Sequence, residues 1–251
     1  KSFMKVLLYI SFFPQLIAGP IVRWGEIETQ LDHRAVTTDG VAEGICRFVK
    51  GLAKKLLLAN GLGQIADQVF GLNIGQYSMA VAWLGAICYA LQIFYDFSGY
   101  SDMAIGLASM FGFHFQENFD HPYSAESIHG FWRRWHISLS SWFKEYVYIP
   151  LGGNRKGKAH TIFNLFVVWS LTAVWHGAEG HFLIWGASLL LLLALEKAFL
   201  LQFLKKSKIL SHVYLVLVVP LTWMAFAIAD VGQLGVYYAR MFPFFGVGET
   251  V

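Results

Sequence analysis

The chain has 251 residues, of which 56% are hydrophobic, 17% aromatic and only 14% charged, with a mean hydropathy of +0.50. A soluble domain carries about 25% charged residues, so this composition excludes a disordered chain, argues against a soluble enzyme and points to an integral membrane protein with several spans. The net charge of +3, from 19 Lys+Arg against 16 Asp+Glu, is too weak to suggest a nucleic-acid partner.

The chain begins with Lys1 and enters an apolar run almost at once, so it reads as an excerpt of a longer protein, with further helices expected at both ends. Residues 6–22 are an uncharged run broken by Pro14 and Pro20, which predicts a span with a kinked end. Residues 23–55 are polar and basic, and residues 41–70 mix apolar side chains with lysines, the pattern of a helix lying at the interface. Residues 78–95 and 97–113 predict two spans. The second carries Asp102 among Ser98, Gly99, Ser101 and Gly106, small residues that let membrane helices pack closely. Residues 128–148 crowd aromatics and cations together, and Arg155, Lys156 and Lys158 form a basic loop after a Gly-rich turn. Residues 162–175 are uncharged but shorter than the ~20 residues a crossing needs. Two more runs, 182–204 and 213–229, are separated by Lys205, Lys206 and Lys208, and Pro220 lies in the second. Two crossings between successive basic segments would put 23–55, 155–158 and 205–208 on one side, the cytoplasmic one by the positive-inside rule. No repeat or second domain is visible, so residues 1–251 read as one membrane domain. The two cysteines, Cys46 and Cys88, predict no disulfide framework, since Cys88 lies inside an apolar run.

Ionisable groups within apolar segments are functional candidates by default. Read as a helix, residues 129–142 place His129, Trp132, Arg133, His136 and Ser140 on one face, with Trp135, Leu139 and Trp142 on a neighbouring stripe. The alternative is an interfacial helix with its tryptophans at headgroup level. His176 follows the short run 162–175, and Gly177 behind it permits a break in the helix. A neutral imidazole there can accept a proton from an attacking hydroxyl; the alternative is a hydrogen-bonded loop histidine. No pair of Cys or His residues has structural-zinc spacing, and no Gly-x-Ser-x-Gly elbow is present, so no metal site is expected. A transporter using Asp96, Asp102 and the histidines as a proton relay remains open on these grounds.

Several long segments, in order, carry a resemblance: Phe12-Phe-Pro-Gln-Leu-Ile-Ala-Gly-Pro-Ile-Val-Arg23, Phe94-Tyr-Asp-Phe-Ser-Gly-Tyr-Ser-Asp-Met-Ala-Ile-Gly106, Glu117-Asn-Phe119, Phe131-Trp-Arg-Arg-Trp-His-Ile-Ser-Leu-Ser-Ser-Trp142, Tyr146-Val-Tyr-Ile-Pro-Leu-Gly-Gly-Asn-Arg155 and Trp175-His-Gly-Ala178. The sequence resembles the membrane-bound O-acyltransferase family, in particular its branch of alginate O-acetyltransferase membrane subunits. The resemblance implies an all-α, polytopic transmembrane bundle with re-entrant or interfacial helices around a funnel. It assigns catalysis to His176 and His136. Trp132, Trp135, Ser140, Trp175 and Asp102 would then line the funnel. Arg133, Arg134, Arg155, Lys156 and Lys158 would meet the phosphates of the donor, with Lys144 on the same side. No permanently bound cofactor is implied; acetyl-CoA or an acyl-carrier thioester would be the donor substrate. The expected function is transfer of acetyl across the bacterial cytoplasmic (inner) membrane for O-acetylation of an alginate-like exopolysaccharide or cell-wall glycan, with an extracytoplasmic acetyltransferase as partner protein. D-alanyl-type transfer to a cell-surface polymer and a non-enzymatic transporter or scaffold are the alternatives.

Overall fold

The computed structural model describes residues 2–16, 19–73 and 76–243. In chain order its helices are α1 (Phe3–Ser11), α2 (Trp24–His33), α3 (Thr38–Ala53), α4 (Asn60–Gly71), α5 (Met79–Met110), α6 (Ile128–Trp132), α7 (Ile137–Phe143), α8 (Lys158–His176), α9 (Gly180–Leu195), α10 (Leu201–Leu204), α11 (Lys208–Ala227) and α12 (Val231–Met241). The described residues contain no strand beyond one isolated antiparallel bridge, Phe119 to Trp135, so the expected all-α class holds. Among the described residues, three segments are long and apolar enough to cross a membrane: α5, Gly180–Leu204 and α11.

The first correction to the sequence reading concerns residues 38–113. The two expected spans at 78–95 and 97–113 are one helix, α5, of 32 residues, or about 48 Å at ~1.5 Å per residue. Asp96 does not interrupt it, because Lys55 pairs with one carboxylate oxygen and Gln92 Nε2 donates to the other at 3.3 Å. Residues 41–70 do not stand alone. α3, a π-helical turn (Lys54–Ala59) and α4 run antiparallel along α5, capped at the start by Thr37, whose hydroxyl accepts from Gly40 N–H at 3.1 Å. Glycines set the closeness of the two rods. A Cβ at Gly44 would lie 2.6 Å from the Gly106 carbonyl, and one at Gly51 would lie 2.8 Å from Met103 N. The charges that suggested an interfacial helix are paired across this contact. Arg47 bridges Asp102 at 2.7 Å and Glu117 at 2.5 Å, Lys54 reaches Asp102 at 2.6 Å, and Lys55 holds Asp96. Gly51→Leu drives a side chain into backbone atoms that cannot yield. It is expected to destabilise by at least about 1–3 kcal/mol, read as a lower thermal transition of the purified protein in detergent.

The run 6–22 is likewise not a single span. α1 ends at Ser11, and a 3-10 turn (Phe13–Gln15) follows where Pro14 removes a donor. Ile17 and Ala18, within the 12–23 motif, lie outside the described residues. α1 packs on α2 through Tyr9, whose ring lies 5.4 Å from Trp24 and whose hydroxyl donates to the Val22 carbonyl at 2.7 Å.

α8 and α9 form the second antiparallel pair. They pack at Gly186, where a Cβ would lie 2.8 Å from Ala173 Cβ. The short turn between them leaves residues 155–158 and 205–208 at the same end of the pair. With 78–113 reduced to one helix, counting spans no longer places residues 23–55 with those two segments. α11, carrying Pro220 in its interior, packs on α5 and α9. The buried Trp185, Leu189, Leu215, Val219, Trp223 and Met224 join these helices, and Tyr237 of α12 donates to the Ala82 carbonyl of α5 at 2.6 Å.

Three π-helical turns, Lys54–Ala59, Lys144–Tyr148 and Glu196–Leu200, each begin at a charged residue with a specific task. Lys54 pairs with Asp102, Lys144 reaches the cavity described below, and Glu196 caps α6. Such widened turns re-aim side chains locally and recur at functional places.

Candidate active site

The segment that carries the first histidine is not one helix. α6 ends at Trp132, the chain turns through residues 133–136, and α7 starts at Ile137. The turn is made by pairing with residues 118–120. Asp120 N–H donates to the Arg134 carbonyl at 2.9 Å, and Ile137 N–H donates to the Asn118 carbonyl at 3.0 Å. His136 sits in the left-handed region at φ 46°, as the residue that starts α7. That conformation costs a non-glycine residue about 1–2 kcal/mol, and the backbone pairing on both sides holds it. No Gly or Pro marks the break, which is why periodicity read the segment as continuous.

α6 is fixed from two directions. The Ser127 hydroxyl accepts from Gly130 N–H at 2.9 Å. The buried Glu196 carboxylate accepts from Ile128 N–H at 2.6 Å and His129 N–H at 3.0 Å. A carboxylate from a candidate span thus supplies the acceptors that the first turn of α6 lacks.

These elements help to line a cavity of about 740 Å³, within the ~300–1,000 Å³ usual for small-molecule sites. His136 and His176 both belong to its walls. His136 is buried, with Phe97 edge-on at 4.7 Å between ring centroids. Its Nδ1 lies 3.2 Å from Asn118 Oδ1. His176, the last residue of α8, is held by rings: Trp185 at 5.1 Å, Phe226 at 5.2 Å and Trp175 at 4.9 Å. A Cβ at Gly177 would lie 2.5 Å from Phe182 Cε2, so only glycine there lets that ring close behind His176.

The sequence-expected residues divide into two groups. The cavity walls include His136, His176, Trp132, Trp135, Ser140 and Arg133, together with Lys144 and His129. Asp102, Trp175, Arg134, Arg155, Lys156 and Lys158 are not among those walls. Asp102 is engaged by Arg47 and Lys54 between α3 and α5. Trp175 approaches His136 at 6.1 Å but is 55% exposed. Arg134 donates to the Ser124 hydroxyl at 2.9 Å; Arg155 and Lys156 are exposed in the loop before α8 and Lys158 at its first residue. The sequence reading missed Trp169, Trp185, Trp223 and Phe226, which complete the aromatic wall. It also missed Asn118 and Ser138 behind His136. Trp185 and Trp223 lie inside apolar runs, where a tryptophan gives no sign of facing inward. Asn118 lies in the quoted Glu117-Asn-Phe119 motif, and that was the available signal.

Chemically, the arrangement offers two imidazoles in a common aromatic chamber, with cations at Arg133 and Lys144. Acyl transfer to a hydroxyl needs a proton acceptor, a polarised carbonyl and exclusion of water.

The family model of the membrane-bound O-acyltransferases matches residues 1–230. The chain is 45% identical to the probable alginate O-acetylase AlgI of Azotobacter vinelandii over 245 residues, covering 97% of this chain and 49% of that protein. It is 43% identical to the peptidoglycan O-acetyltransferase of Helicobacter pylori over 190 residues, 74% of this chain and 36% of that protein. It is 29% identical to the teichoic acid D-alanyltransferase of Bacillus subtilis over 196 residues, 72% of this chain and 48% of that protein. The chain therefore spans about half the length or less of these relatives. The family match, the alginate O-acetylase likeness and the three helices long and apolar enough to cross a membrane agree: this chain belongs to the membrane-bound O-acyltransferase family.

Proposed function

We propose that the full-length protein is a multi-pass enzyme of the bacterial inner membrane that moves acetyl from a cytoplasmic thioester, acetyl-CoA or an acyl-carrier protein, toward an exopolysaccharide or cell-wall glycan. The observation that carries this reading is the presence of His136 and His176 in the walls of one largely aromatic cavity. In the reaction, a hydroxyl oxygen of the acceptor attacks the thioester carbonyl carbon. A C–O bond forms, the C–S bond breaks, and the hydroxyl proton passes by way of an imidazole to the departing thiolate, leaving an ester and a free thiol. His176 takes the proton, while His136 either orients the hydroxyl or polarises the carbonyl. An extracytoplasmic acetyltransferase would pass the acetyl to the final glycan.

Acetyl is preferred to D-alanyl because the alginate and peptidoglycan O-acetylating relatives are 43–45% identical, against 29% for the D-alanyltransferase of Bacillus subtilis. The transporter alternative loses support because Asp96 and Asp102 are both occupied by cations of the neighbouring rod. The test is transfer of labelled acetyl from acetyl-CoA, or from a loaded carrier protein, by membranes carrying the full-length protein. No transfer from either donor to any hydroxyl acceptor would overturn the reading.

The donor's phosphates are assigned to Arg133 and Lys144, the cations of the cavity wall. Neutralising both to Gln is expected to raise the donor KM about 10-fold or more with a smaller change in kcat, the signature of lost binding. Replacing Arg155, Lys156 and Lys158 together is expected to leave that KM within about twofold. Initial-rate kinetics against donor concentration check both.

A further inference from the structure

We propose that Asn118 is a positioning residue that locks His136 in one tautomer, with the proton on Nδ1 and the lone pair on Nε2. The inference rests on the acyl-transfer reading for its consequence, but not for its geometry.

Asn118 is completely buried, and its amide orientation is determined by its neighbours. Its Oδ1 lies 3.1 Å from the backbone N–H of Ser138, which can only donate. A flipped amide would set NH2 against that N–H. In the orientation that remains, Nδ2 donates to the Ser101 hydroxyl at 3.0 Å, and the Ser138 hydroxyl donates to Oδ1 at 2.9 Å. Asn118 Oδ1 is therefore a fixed acceptor, 3.2 Å from His136 Nδ1. An unprotonated Nδ1 would turn its lone pair toward the lone pairs of that oxygen. The Ser138 hydroxyl lies nearer to Oδ1, at 2.9 Å, than to Nδ1, at 3.4 Å, and so favours giving its proton to the amide oxygen. Nδ1 carries the proton, and a neutral ring then keeps its lone pair on Nε2.

The ring is also held neutral by its company. The titratable groups in the cavity walls are His129, Arg133, Lys144, Tyr148 and His176, and none is a carboxylate that would stabilise an imidazolium. Asp102 and Glu117, which flank Ser101 and Asn118 in sequence, are tied to Arg47.

This decides between the two roles open to His136. A neutral imidazole with its lone pair on Nε2 has no proton there to give a developing oxyanion, so it cannot polarise the thioester carbonyl through that nitrogen. It can accept the hydrogen of the attacking hydroxyl and so aim the oxygen. His176 is different: among the described residues no hydrogen bond reaches its ring, and neither nitrogen is committed. One imidazole is preset and the other is free to change tautomer as the proton moves.

The test uses full-length protein in lipid, labelled with 15N in its histidine rings, with the His136 signals identified by their loss in His136→Gln. One-bond carbon–nitrogen correlations distinguish Nδ1 from Nε2. The expected wild-type result is a protonated Nδ1 and a bare Nε2. Asn118→Leu, which keeps the size and removes the acceptor, should shift the ring toward the Nε2–H form. It should also lower kcat by about 10²-fold or more, with donor KM nearly unchanged. Asn118→Asp, which restores an acceptor but adds a carboxylate, should return a proton to Nδ1 while favouring protonation of Nε2 as well. A wild-type ring with its proton on Nε2 overturns the proposal, as does an Asn118→Leu protein with wild-type nitrogen shifts. Should Asn118→Leu fail to fold, the wild-type and Asn118→Asp spectra decide alone. Should wild-type membranes transfer no acetyl, the acyl-transfer reading falls, while the nitrogen shifts still decide the tautomer.

Discussion

Replacing His176 by alanine is expected to lower acetyl transfer by about 10²–10⁴-fold, the range lost with a general base, while leaving the protein folded and inserted. His176 contacts its surroundings through rings, and among the described residues no hydrogen bond ends on it. Its removal therefore orphans no buried donor or acceptor, and the aromatic wall of Trp185, Phe226 and Phe182 remains packed on itself. His136→Ala is different in kind. It empties a buried position that starts α7, and it leaves Asn118 Oδ1 short of one donor. His136→Ala should impair transfer strongly and also lower the thermal transition, whereas His176→Ala should act on rate alone. Initial rates of labelled acetyl transfer at matched expression, with thermal unfolding alongside, separate the two. Near wild-type transfer by His176→Ala would remove it from the chemistry.

Glu196→Leu is expected to have the largest effect on stability. Its carboxylate is 1% exposed and accepts the N–H groups of Ile128 and His129. Leucine leaves both donors without their acceptor at the start of α6, and each unpaired buried donor costs about 1–3 kcal/mol. Glutamine is no rescue. Its amide has one oxygen for two N–H groups, so its NH2 must face the other donor. Both variants should unfold at lower temperature, and both should lose transfer, because α6 carries Trp132 to the cavity and Arg133 follows it directly. An unshifted thermal transition in Glu196→Gln would show that the two backbone contacts contribute little.

The apolar segments of the fold were legible in the sequence because hydropathy reports them directly; the run over 180–204 and that of α11 are examples. Their pairing was not. Arg47, Lys54 and Lys55 read as interfacial cations because the anions that neutralise them, Asp96, Asp102 and Glu117, lie 41–70 residues away. The polar side of residues 129–142 was visible, but for an incomplete reason. His129, Trp132, Arg133, His136 and Ser140 do share a cavity, yet a turn gathers them and not a continuous helical face. That turn depends on backbone pairing with residues 118–120, which leaves no periodic trace. The two histidines were singled out by their chemistry and by family resemblance; that they reach one chamber follows from the packing of the α6–α7 segment against α8, α9 and α11.

The pairing of α3 and α4 with α5 also bears on how the protein is made. Residues 38–71 leave the ribosome before Asp96, Asp102 and Glu117 have been translated. Until then Arg47, Lys54 and Lys55 have no anion to meet, and each charge carried to the bilayer centre costs about 2.5–3.5 kcal/mol on insertion scales. Those three cations can therefore meet their native partners only once α5 and residue 117 have followed. A nascent chain halted before α5 would leave Arg47, Lys54 and Lys55 without the carboxylates that pair them in the folded protein.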